Sequence, residues 1–165
     1  MVGARAQLVV RGTTDIAMLE PEQPMPTATV QWIGEQKFAA VSPSGHALVL
    51  DSDSKNAPTP MELLLVALGA CTATDVVIIL EKKRQKLESL EVICSGERAP
   101  EPPRVWTKLD ILFRLRGRLE EAGVRQAIRL SEEKYCSVSA TLKKSAELTW
   151  RFEILPADGS GGHVA

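Results

Sequence analysis

Three cysteines, Cys71, Cys94 and Cys136, carry most of the chemistry that this chain of 165 residues offers. A thiol attacks or binds only as the thiolate, so its surroundings decide what it does. Cys71 lies in the middle of an apolar run, and that setting taken alone suits an inert, packed cysteine. Cys136 by itself says little, and Cys94, among strand-forming residues, reads as packing. Asp75 stands four residues beyond Cys71, on the same helical face. A bare carboxylate there would raise the thiol pKa, and a buried one needs a partner. Asp75 is therefore expected either to hold a cation or hydrogen-bond donor beside Cys71, with Lys37, His46 and Lys134 as candidates, or to be a hydrogen-bonded structural aspartate. Glu62, nine residues before Cys71, falls on the opposite side of a helix and about 13 Å along it. It completes a capping box with Thr59 or, in a catalytic role, reaches the site of another subunit. His46 reads as a surface or capping histidine and His163 as part of a loose tail. With these two histidines and no CxxC or HxxxH spacing, no metal site is expected.

The element that must position Cys71 is the run TPMELLLVALGACTATDVVIILEKKRQK, residues 59–86. Thr59, Pro60 and Glu62 give a helix start, and Lys82, Lys83, Arg84 and Lys86 place cations at its end. No polar face separates these ends, so the helix is expected to be buried on all sides. Before it, Leu8–Arg11, Thr27–Trp32, Lys37–Val41 and His46–Leu50 read as short strands, followed by the polar loop Asp51–Pro58. After it come the strand Leu90–Gly96, the proline-broken connection GERAPEPPR and the strand Arg104–Arg116. In the last of these Leu109, Ile111, Phe113 and Leu115 alternate with charged residues. A second helix over Leu119–Tyr135 carries Val124, Ala127, Ile128, Ser131 and Tyr135 on one face, and Ala146–Ile154 is a final strand. The expected fold class is α+β: an N-terminal arm (1–26), a single domain (27–154) of mainly antiparallel sheet against the central helix, and a disordered tail (155–165). One sheet covers only one side of such a helix, which argues for a homodimer.

Composition narrows the function classes. The formal net charge is −1, with 20 Lys and Arg against 21 Asp and Glu, so no basic footprint for nucleic acid or an anionic membrane is present. Glu62, Asp75 and the threonines interrupt the apolar run, which reads as a core helix rather than a membrane span. The odd cysteine count argues for a reducing compartment, and the cytoplasm is the expected location.

The words PMELLLVALGAC and EKYCSVSATL, in that order and at that separation, resemble the OsmC/Ohr family of osmotically induced and organic-hydroperoxide-resistance proteins. The run CTATDVVIILEKKRQ with SEEKYCSV looks closest to the YhfA-like branch. The resemblance covers residues 29–154. It implies an intertwined homodimer in which sheets wrap two long helices, and a thiol peroxidase with Cys71 as peroxidatic and Cys136 as resolving residue. The implied substrate is an organic hydroperoxide and the implied reductant a lipoyl-type or other dithiol, with no metal, haem or flavin. Members of the family use an arginine from an N-terminal strand, held by a glutamate ten residues before the peroxidatic cysteine. Here that position is Met61, Glu62 stands nine before, and no arginine occurs between Thr13 and Lys83. A non-catalytic or redox-sensing protein that binds an apolar metabolite in the interface pocket is the alternative.

Overall fold

The computed structural model describes residues 24–157, and these divide into two compact units between Leu50 and Asp51. The strand expected at Leu8–Arg11, nearly all of the arm and tail, and His163 lie outside the described residues.

The first unit is a three-stranded sheet in the order β1-β2-β3, formed by β1 (Thr29–Gly34), β2 (Lys37–Val41) and β3 (Ala47–Asp51). β1 and β2 pair antiparallel with Thr29 opposite Val41. His46 has the capping role expected of it: its N–H donates to Ser42 Oγ at 3.1 Å, and its Nδ1 lies 3.0 Å from Ser44 Oγ.

The second unit holds α1 (Pro60–Lys82), β4 (Lys86–Arg98), β5 (Trp106–Arg118), α2 (Glu121–Leu130), a π-helical turn (Ser131–Tyr135), α3 (Ser137–Leu142) and β6 (Glu147–Leu155). Its sheet runs β4-β5-β6. β4 and β5 are an antiparallel hairpin, but β5 and β6 are parallel, with Ile111 beside Trp150 and Phe113 beside Phe152. The parallel β6 is the exception within the mainly antiparallel pairing that was expected. The two helices and the π turn between β5 and β6 form a crossover, and a crossover lets the chain re-enter the sheet in the same direction.

The alternation in β5 is realised as read. Leu109, Ile111, Phe113 and Leu115 are enclosed with Leu68, Val76, Leu80, Val124, Ala127 and Ile128 in one core. Each of these but Ala127 contributes about 1.5–3 kcal/mol by burial. On the wet face Arg114 donates to Glu91 on β4 and Glu153 on β6, at 3.3 and 3.1 Å, so one guanidinium ties all three strands.

The loop before α1 folds around a side chain. Asp51 Oδ1 accepts from the Asp53 amide at 3.0 Å, and Oδ2 from the Asn56 amide at 3.0 Å. Burial works against the Asp51 charge, yet these donors outweigh it and hold the carboxyl below its ordinary range. Thr59 and Glu62 then form the capping box: Thr59 N–H donates to Glu62 Oε2 at 2.6 Å, and Glu62 N–H to Thr59 Oγ1 at 3.2 Å. These bonds also lower the Glu62 pKa. The helix stops at Lys82, short of Lys86, because Arg84 adopts φ 56° and turns Lys86 into β4.

Candidate functional site

By length and apolarity alone α1 passes for a membrane span, yet one face of it forms part of the core. Leu68, Thr72, Val76 and Leu80, spaced by four, are fully enclosed. The opposite side is open: Val66 is 62% exposed, Ile78 42% and Leu64 36%, and Ala70 and Thr74 lie on the same surface. In the single chain, then, α1 is covered on one side only, as the reading that called for a second copy expected. One sheet layer and the crossover helices cover only the side they touch.

Cys71 lies at the border of these faces. At about 100° per residue it is within about 20° of Leu64 and Ile78 and about 60° from Leu68. It is half-buried, with Asp75 one turn along on the same border.

The second thiol is brought by the crossover. α2 follows the stripe read from sequence as far as Ser131, and Val124, Ala127, Ile128 and Ser131 are fully enclosed. The helix then widens, with Cys136 N–H donating to Ser131 O five residues back at 2.8 Å. A π turn adds a residue to the turn and rotates the side chains downstream of it. Tyr135, expected on the buried face, is 50% exposed, and Glu132 turns inward. Cys136 ends this turn as the N-cap of α3, where its Sγ accepts the Ser139 N–H at 3.3 Å. α3 itself is missed by the sequence reading, because six residues are too few to display a helical period.

The result is a compact centre. Cys71 Sγ, Cys136 Sγ and an Asp75 carboxylate oxygen all lie within 4.8 Å of one another. Asp75 Oδ2 accepts the Ser131 hydroxyl at 2.8 Å, so a serine is one hydrogen-bond donor beside Cys71. Lys37 pairs with Glu35, His46 sits beside Ser44, and Lys134 lies over the Tyr135 ring. Glu62 is on the far side, in its capping box.

Around Cys136 the structure adds residues that sequence reasoning missed. Glu132 is buried, accepts the Ser139 hydroxyl at 2.8 Å and pairs with Lys143 at 2.9 Å, while its Oε1 is enclosed without a partner. An acid four residues after Ile128 and four before Cys136 was the available signal, passed over because a carboxylate at the edge of the apolar stripe reads as solvated. Burial, the hydrogen bond with Cys71 and the Glu132 charge push the Cys136 thiol up to about 12, against the opposing Ser139 N–H. Cys94 lies in β4 with its sulfur packed against Gly69 of α1. Burial, Glu132 and Asp110 push its thiol up to about 11, which fits its reading as a packing residue.

Two cavities of this unit lie elsewhere. One of about 500 Å³ is lined by residues including Gly96, Lys108 and Thr149, another of about 460 Å³ by residues including Arg125, Trp150 and Phe152. Neither is lined by Cys71 or Cys136, so the expected apolar pocket at the cysteines is not formed by these cavities.

Fold and site define an α+β protein with a thiol pair held between a long apolar helix and a π-distorted crossover. The chain belongs to the family of OsmC-like proteins, whose model matches residues 52–151. It is 42% identical over 132 residues to protein YhfA of Escherichia coli K12, covering 79% of this chain and 98% of that one. A hypothetical protein of Aquifex aeolicus superposes with TM-score 0.71 at 30% identity, over 81% of this chain and 99% of that one. An organic hydroperoxide resistance protein OsmC of Legionella pneumophila superposes with TM-score 0.59 at 14% identity, over 80% and 98%, and shares the fold.

Proposed function

We propose that this chain is a dithiol peroxidase that reduces organic hydroperoxides, working as a homodimer in a reducing compartment. The observation that carries this reading is the approach of Cys71 and Cys136 Sγ within 4.8 Å, from elements far apart in sequence. Membership of a family that includes organic hydroperoxide resistance proteins supports it.

In the proposed cycle the Cys71 thiolate attacks the outer oxygen of ROOH. The O–O bond breaks, Cys71 becomes the sulfenic acid, and the departing alkoxide takes a proton to give ROH. The Cys136 sulfur then attacks the sulfenic sulfur, its proton leaves with the hydroxyl as water, and the disulfide forms. Asp75, beside both sulfurs, is placed to accept the Cys136 proton and pass it to the leaving hydroxyl. An external dithiol, lipoyl-type or similar, reduces the disulfide by exchange and is itself oxidised.

The open face of α1 supports the dimer. Leu64 and Ile78 flank Cys71 on the helix and Val66 lies further round the open face, and a second copy covering that face would wall in an apolar pocket at the thiol. Glu62 lies on α1 one turn before Val66, so any part it plays would be in the partner's site.

The test is to treat the reduced protein with one equivalent of cumene hydroperoxide and map disulfides by peptide mass. A Cys71–Cys136 disulfide is expected in the wild type and none in Cys71→Ser. Intact thiols in the wild type would overturn the reading and favour the apolar-metabolite binder.

A further inference from the structure

We propose that the reduced centre is also a binding site for one thiophilic divalent cation of the Zn²⁺ class, with Cys71, Cys136 and Asp75 as its three protein ligands. The local spacing of these residues hides this, because Cys136 arrives from another element. Two thiolates and a carboxylate form a mixed soft and hard donor set that suits Zn²⁺ over Mg²⁺ or Ca²⁺.

Size agrees. Tetrahedral Zn²⁺ with bonds of about 2.3 Å to sulfur holds two sulfurs about 3.8 Å apart. The three donor atoms already lie within 4.8 Å, so closure by at most about 1 Å between the sulfurs and slightly more to the oxygen, within side-chain rotation, completes the set. The surroundings agree as well. Ser131 Oγ donates to Asp75 at 2.8 Å, the kind of outer hydrogen bond that orients a ligating carboxylate. Ser139 N–H donates to Cys136 Sγ at 3.3 Å and holds that sulfur facing the pair. Cys71, at the border of the open face, leaves the fourth position to water.

Loading replaces two thiol protons with one cation, so two H⁺ leave per metal. The metal and the disulfide need the same electron pairs on sulfur and exclude one another. The inference needs the three side chains to stay together and does not need peroxide chemistry.

The full-length reduced chain is titrated without oxygen, using Co²⁺ as the optical probe and Zn²⁺ in competition. One metal per chain is expected, with a thiolate-to-Co²⁺ charge-transfer band and two protons released. Cys71→Ser and Cys136→Ser should each weaken binding at least 100-fold and Asp75→Asn at least 10-fold, with Cys94→Ser unchanged. Oxidation of the pair with diamide, which forms the disulfide by a route independent of hydroperoxide, should abolish binding. In Asp75→Asn the same diamide reaction should still link Cys71 to Cys136, showing that the fold persists. The proposal fails if the wild type takes up no metal at micromolar concentration, if Asp75→Asn binds as tightly as wild type, or if binding depends on Cys94.

Discussion

Cys136 and Glu132 are held by a single residue. Ser139 donates its backbone N–H to the Cys136 sulfur at 3.3 Å and its hydroxyl to Glu132 Oε2 at 2.8 Å. The second thiol is thus fixed next to a buried carboxylate that also pairs with Lys143.

Reactivity of Cys136 should therefore be suppressed in the folded chain. Burial first of all pushes its thiol up in the folded chain, so at pH 8 the thiolate is scarcer there than in the unfolded chain. Alkylation of Cys136 by iodoacetamide at pH 8 should be at least 100-fold slower in buffer than in denaturant, as read by peptide mass. Equal rates would contradict the described site.

The same shifts tie stability to pH. The folded state holds the Cys94 and Cys136 protons more tightly than the unfolded state, so their contribution is complete below pH about 9. It is lost as pH rises through about 11 and about 12. Over pH 9–11 the Tm of the wild type should fall more steeply than that of Cys94→Ala; parallel curves would refute the link.

Lys143→Met removes the cation from a buried carboxylate and should cost about 2 kcal/mol, less than for a fully buried pair because the lysine is partly exposed. Adding Glu132→Gln should recover part of that loss. A denaturant-melt double-mutant cycle gives the coupling, and strict additivity would show that the pair is not coupled.

Gly117, next to last in β5, has φ 141°, and a Cβ there would come within 2.0 Å of Lys86 O. Gly117→Ala should destabilise by about 2 kcal/mol or more, since backbone on both strands must move. A Tm within a degree of wild type would argue against the close β4–β5 crossing.

If α1 is covered by a second copy, light scattering should give twice the 18.0 kDa of one chain. Val66→Asp, at a position 62% exposed in the single chain, should shift the protein to monomer while circular dichroism stays the same. A wild-type monomer at 100 µM (roughly ten times a 10 µM Kd) would remove the dimer.

The sequence by itself determined the elements whose signals are local. Thr59, Pro60 and Glu62 start α1 because a cap and its box involve only adjacent residues. The alternation from Leu109 to Leu115 fixes the buried face of β5 because side chains on a strand have period two. The words around Cys71 and Cys136 marked both sulfurs. Tertiary structure decided the rest. Where β6 enters the sheet, and in which direction, depends on a crossover whose path no window of sequence contains. The π turn, one residue out of helical phase, exchanged Tyr135 for Glu132 at the buried face and gave Asp75 the Ser131 hydroxyl. That a helix with no polar face has one open side follows from how little surface a single small sheet can cover, a fact of geometry in space and not of residue order.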